Sequence, residues 1–233
     1  MKVTYLEHSG FAVEYKEYVL IFDWYRGSLP EFDQQKKIYV FASHSHYDHF
    51  NKKIFGWSEQ YPDVRYILSA DIAGKEQSEE QSERTVYVTA NKKYDFDGIK
   101  VQTLHSTDEG VAFIVYMEDK VIYHAGDLNW WHWEEETESY NEQMRQDYQR
   151  EIDKLKDIVI DIAFVPLDPR QENQYAWGMD YFMKHTHTKY VFPMHMWGDY
   201  EVYDRLMENP EAEPYKERVI EVKEPGQVFE VNV

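Results

Sequence analysis

Residues 44–49 read His-Ser-His-Tyr-Asp-His and directly follow the apolar run Ile-Tyr-Val-Phe-Ala at 38–42. A short β-branched and aromatic run predicts a buried strand, so a set of metal-capable side chains stands where a strand ends. Strand ends hold side chains rigidly while the loop beyond stays open to a ligand. Three histidines and an aspartate in such close order are seldom assembled for packing, because unpaired buried charge opposes folding. The stretch therefore predicts metal binding. An isolated His-x-His is weaker evidence: His185-Thr186-His187 has no acid or third histidine beside it and reads as structural.

The chain has 233 residues, 42% of them hydrophobic and 17% aromatic, enough for a substantial core. No Gly/Ser- or Pro-rich linker divides it, which predicts a single domain over 1–233. There is no cysteine, so any metal is held by nitrogen and oxygen and disulfides are excluded. No apolar run approaches the roughly 18 residues of a membrane span. The N-terminus enters an alternating pattern with no signal-peptide core, so the expected location is cytoplasmic, away from membranes. A formal charge of −19 repels polyanions, so nucleic acid is not expected as a partner and a small-molecule substrate is. The sequence leaves room for a homo-oligomer.

Alternating stretches at 3–6, 11–15, 18–22, 38–42, 64–68 and 85–88 predict strands. Asp97-Gly98 predicts a hairpin between 94–96 and 99–104, and 111–116 with 120–123 a second. From 134 to 156 the pattern turns helical, with Tyr140, Met144, Tyr148, Ile152 and Leu155 on one stripe. Strands at 158–165, 190–192, 219–222 and 228–231 and helices at 174–184 and 200–208 complete the prediction. The polar stretch 71–84 reads as a solvated helix or loop. Together these predict an α/β chain with two mixed β-sheets covered by helices, a four-layer arrangement.

A metal centre draws on more than one loop, and three further donors stand just beyond β stretches: His105, Asp127 and His195. With them the chain resembles the metallo-β-lactamase fold superfamily, in which HxHxDH is followed by a lone histidine, a bridging aspartate and a last histidine. His8-Ser9-Gly10-Phe11 and Leu20-Ile21-Phe22-Asp23 look like the opening strands of its compact lactonase-like members, the ascorbate-6-phosphate lactonase type among them. The resemblance implies an αββα sandwich with two divalent metals. His44, His46 and His105 would hold one, Asp48, His49 and His195 the other, and Asp127 would bridge; Asp108 competes with His105 for its place.

Such a centre implies hydrolysis by a metal-activated water, with Asp48 as the catalytic group that passes its proton onward. Zinc is the preferred metal, and Mn²⁺, Fe²⁺ or Ni²⁺ would accept the same atoms. Within the superfamily a small ester, lactone or phosphodiester is the expected substrate. A nuclease or nucleotide phosphodiesterase, or a non-catalytic metal sensor, is the alternative. Trp130 and Trp131 form either a substrate wall or a hydrophobic plug under the long helix. Arg170 either binds a substrate carboxylate or phosphate or pairs with Asp168. His8 either reaches the site or caps a turn with Ser9.

Overall fold

In the computed structural model, which describes residues 1–75 and 78–233, the predicted strands form where β-branched and aromatic residues alternate or run together. The first part of the chain contributes β1 (Lys2–Glu7), β2 (Gly10–Tyr15), β3 (Tyr18–Phe22), β4 (Lys37–Ala42), β5 (Arg65–Ser69), the short α1 (Glu79–Glu83) and β6 (Thr85–Val88). There follow β7 (Lys93–Phe96), β8 (Ile99–His105), β9 (Val111–Met117), β10 (Lys120–His124), α2 (Glu138–Ile152), β11 (Val159–Pro166), α3 (Trp177–His185), β12 (His187–Met194), α4 (Glu201–Glu208) and finally β13 (Val228–Glu230). Glu76 and Gln77 of the polar stretch lie outside the described residues. No helix of the described residues is long and apolar enough to cross a membrane.

The chain forms two compact units, Met1–Thr89 with Glu224–Val233, and Ala90–Lys223. The first contains a mixed sheet in the order β13-β1-β2-β3-β4-β5-β6, antiparallel through β3 and parallel from β3 to β6. Its core gathers Val19, Ile21, Val40, Tyr66 and Leu68 with Ile54 and Phe55 of the 3-10 helix Lys52–Glu59. Tyr66 is fully buried and satisfies its hydroxyl by donating to the Ile54 carbonyl at 2.9 Å.

The second unit contains a mixed sheet in the order β12-β11-β10-β9-β8-β7, antiparallel through β10 and parallel from β10 to β12. Gly98, at φ 91°, supplies the left-handed turn between β7 and β8. The helix predicted from 134 begins at Glu138, where Thr137 caps it by accepting from the Tyr140 N–H at 3.2 Å. Its buried stripe of Met144, Tyr148 and Ile152 follows the predicted spacing. The strand expected at 219–222 does not form: those residues make one bridge, Val219 with Val191, and the chain then leaves the sheet.

In each unit the parallel strands bring their C-terminal ends to one sheet edge, the place where ligands bind in open α/β sheets. In the second unit a tight approach fixes the segment leaving that edge. Tyr148 Oη donates to the Gly178 carbonyl of α3 at 2.7 Å, and a Cβ on Gly178 would fall on the Asn129 amide oxygen. Gly→Ala within a helix ordinarily stabilises by about 1 kcal/mol. Gly178→Ala should instead destabilise by about 1–3 kcal/mol; a urea melt with unchanged slope measures it, and a stabilised variant would refute the contact.

Candidate metal centre

The first unit carries its donors on the loop after β4 and on the turn between β1 and β2. Asp23, the residue after β3, is fully buried with φ 44°, a left-handed conformation rare for an aspartate outside turns. Its carboxylate accepts from the Ser43 N–H at 2.7 Å, the Ser43 hydroxyl at 2.6 Å and His49 Nδ1 at 2.7 Å. The proton is thereby placed on Nδ1 of His49, and Nε2 is left as the donor atom. His44 Nε2 and His46 Nδ1 approach to 3.0 Å, and Ser43 Oγ contacts His44 Nδ1 at 3.0 Å. Ser45 N–H is held by Asp71 at 2.7 Å, which ties the loop down.

His8, also left-handed at φ 56°, brings Nε2 to 3.4 Å from Asp48 Oδ2, and His49 Nε2 lies 4.0 Å from the same oxygen. One donor atom from each of His8, Asp48 and His49 falls within 4.8 Å of the others. Burial by itself would raise the Asp48 carboxyl; the contact with His8 and the charge of His49 outweigh it and hold the group down at about 2. The first unit therefore presents one carboxylate and several imidazoles on a short stretch of sheet edge.

The second unit repeats the device. Asp168, beyond β11, is fully buried and accepts from His195 Nδ1 at 2.9 Å, so His195 Nε2 is left to face Asp127 Oδ1 at 3.4 Å. His195 lies just past β12 at φ 64°, and Trp197 at φ 56° donates from Nε1 to Asp168 Oδ2 at 3.3 Å. Left-handed conformations at residues other than glycine cost on the order of 1–3 kcal/mol each and concentrate at functional sites. Burial works to raise Asp168, but hydrogen bonds from His195 and Arg170 prevail and hold it below the usual carboxylate range.

Asp127 follows β10 in the turn made by Gly126, whose N–H donates to His124 Nδ1 at 3.1 Å. Beyond it residues 130–133 lie in neither helix nor strand, and successive side chains take opposite sides. Trp131 and Trp133 stack with centroids 5.9 Å apart, and Trp131 edges onto His195 at 5.5 Å. Trp130 and His132 take the other side against Trp177 of α3. Of the two tryptophans proposed for a substrate wall or a plug, Trp131 lines a cavity with Trp133 and His195, whereas Trp130 packs on Trp177.

His105 and Asp108, the two candidates for one ligand place, sit differently. β8 runs on through His105, which pairs with Val111, so the chain has not yet turned there. His105 is exposed, and its N–H is bound to Glu151 of α2 at 3.1 Å. Asp108, in the turn itself, lies within 4.8 Å of Asp127. Arg170 pairs with Asp168, as one of the two readings held. Sequence reasoning did not assign Asp23 or Asp168 to the histidines they orient, although each stands directly after an apolar strand. His185 stacks on Tyr181 at 3.8 Å and is structural.

These elements are the components of the metallo-β-lactamase fold. The chain matches the beta-lactamase superfamily domain over residues 2–142 and belongs to that family. The UPF0173 metal-dependent hydrolases of Alkaliphilus metalliredigens and Desulforamulus reducens are 28% and 29% identical over 142 and 146 residues, or 54% of this chain. The match spans 63% and 62% of those relatives, less than two thirds of their length. Igni18, a metallo hydrolase from the hyperthermophilic archaeon Ignicoccus hospitalis, covers 99% of each chain with a TM-score of 0.66 at 17% identity, a likeness of fold.

Asp23→Asn keeps the volume but turns an acceptor toward a donor of Ser43 or His49. A buried group left without its partner costs about 1–3 kcal/mol, and urea denaturation at neutral pH should show a loss in that range. Unchanged stability would mean that Asp23 does not fix His49.

Proposed function

We propose that the chain is a metal-dependent hydrolase with a dinuclear centre, zinc being the preferred metal, acting on a small ester, lactone or phosphodiester. The observation that carries this reading is the paired carboxylate–histidine device, Asp23 with His49 and Asp168 with His195, each fixing Nδ1 and leaving Nε2 as a ligand atom. The donors are imidazole and carboxylate only, a set suited to zinc and to neighbouring divalent ions. Family membership and the metal-dependent hydrolases among the relatives support the same reading.

Within the first unit the proposed ligands are His44, His46, Asp48 and His49; within the second they are Asp108, Asp127 and His195. When bound, a metal pair would lower the pKa of a water and polarise the scissile bond. The chain's own residues supply the rest. Asp48 is ionised at neutral pH and can accept a proton. Asp23 and Asp168 hold the imidazoles in one tautomer. Trp131 and Trp133 exclude water beside His195. The substrate is a small molecule, because the acidic chain opposes a polyanion.

Two measurements test the proposal. Metal analysis of protein purified without added metal should give bound divalent ion, and a panel of esters, lactones, phosphodiesters and thioesters should be turned over only without chelator. Asp127→Ala should abolish turnover and lower the metal content while circular dichroism stays unchanged. Metal bound in full with no turnover on any member of the panel would make the protein a sensor and overturn the reading.

A further inference from the structure

Arg170 stands just beyond β11 in the 3-10 helix Pro169–Gln174 and is held by contacts on three sides. Its Nε donates to both oxygens of Asp168 at 3.0 Å, and Nη2 pairs with Asp168 Oδ2 at 2.5 Å. The guanidinium lies over the Trp197 ring at 4.4 Å and faces the Trp133 ring at 5.8 Å. Trp133 is itself fixed by α2: its N–H donates to Asn141 Oδ1 at 3.1 Å, and its carbonyl accepts from Asn141 Nδ2 at 2.8 Å. The remaining nitrogen, Nη1, has no hydrogen-bond partner among the described residues.

The pairing with Asp168 leaves Arg170 accessible. Its side chain is 48% exposed while Asp168 is fully buried, and it lines a cavity of about 240 Å³ together with Trp131, Trp133, Met144, Asp127 and His195. Asp168, the carboxylate paired with it, is shared with His195 Nδ1 and Trp197 Nε1. The cavity is smaller than the roughly 300–1,000 Å³ of pockets for drug-sized ligands. A planar fork already stacked and hydrogen-bonded loses little freedom on accepting an oxyanion.

The geometry points to Arg170 as the anchor for an oxyanion group, a carboxylate or a phosphate, on the substrate of the proposed hydrolase, with the substrate's apolar part against Trp131, Trp133 and Met144. The substrate class narrows from small esters and lactones in general to those that carry a negative charge apart from the bond being cleaved. This inference rests on the hydrolase reading for the word substrate; the anion site itself rests on Arg170 and the cavity. Asp108 and Asp127 line the same cavity and repel an anion, so the anchor serves the metal-loaded protein.

The test is binding of phenylacetate, phenylphosphonate and the neutral methyl phenylacetate to the metal-loaded protein, read by calorimetry and by tryptophan fluorescence. At least one of the two anions should bind saturably and the neutral ester at least about tenfold more weakly, the effect of losing one charged hydrogen bond. The stronger of the two anions identifies carboxylate or phosphate as the group. Arg170→Gln should weaken the anion about tenfold or more with metal content unchanged, and Arg170→Lys, which keeps charge but not the stacked fork, should fall between. Equal binding of the anions and the neutral ester, an unchanged Kd in Arg170→Gln, or loss of metal from that variant would each overturn the anchor. The ester panel separates the two readings: turnover with no Arg170-dependent binding removes the anchor alone, and Arg170-dependent binding without turnover removes the hydrolase alone.

Discussion

A buried carboxylate at the end of one parallel strand, accepting Nδ1–H from a histidine beyond its neighbour, is the interaction on which the candidate ligands of each unit depend. Asp23 after β3 serves His49 beyond β4, and Asp168 after β11 serves His195 beyond β12. The pairing is possible because these strands run parallel and end together; in an antiparallel pair the two loops would leave from opposite ends. Burial is what gives the arrangement its selectivity. Asp23 and Asp168 are fully excluded from solvent, so each must be matched by donors, and the donors available are the imidazole and its immediate neighbours. The sheet thus decides the tautomer, and the tautomer decides which nitrogen faces a ligand.

Holding the donors there carries a conformational cost that the surrounding structure offsets. His8, Asp23, His195 and Trp197 all adopt positive φ without being glycine. In each case a hydrogen bond or ion pair opposes relaxation: His8 to Asp48, Asp23 to Ser43 and His49, and His195 and Trp197 to one Asp168. The turn that carries each donor is fixed by the same contacts that orient it. Loss of a single buried acceptor would release a backbone strain together with a side chain.

Much of this was legible in the sequence because it rests on local pattern. β3 and β6 fall on their predicted residues, and the hairpins around Gly98 and Asp119 form where turn chemistry placed them. The 44–49 cluster, Asp127 and His195 stand past strand ends as expected. What could not be read is pairing at long range. Nothing local marks Asp23 as the partner of a histidine twenty-six positions away, since that relation exists only through strand order. His105 was favoured over Asp108 by side-chain chemistry; β8 extends one residue beyond its predicted end, which leaves His105 on the strand and Asp108 in the turn. The 219–222 stretch has strand composition but finds only one bridging residue, so composition there outran the available sheet.

The tryptophan segment after Asp127 follows one pattern of alternation. Trp131 and Trp133 share a side and Trp130 and His132 share the other. The first pair stacks beside His195 and reaches Arg170; the second anchors the segment on α3 through Trp177. A helical segment would have placed residues three and four apart on one face and separated Trp131 from Trp133. The alternation is tied to the turn after β10 by Trp131 Nε1, which donates to the Asp127 carbonyl at 2.9 Å. In a chain of net charge −19, the stacked Arg170 stands on the same cavity wall as Asp108 and Asp127.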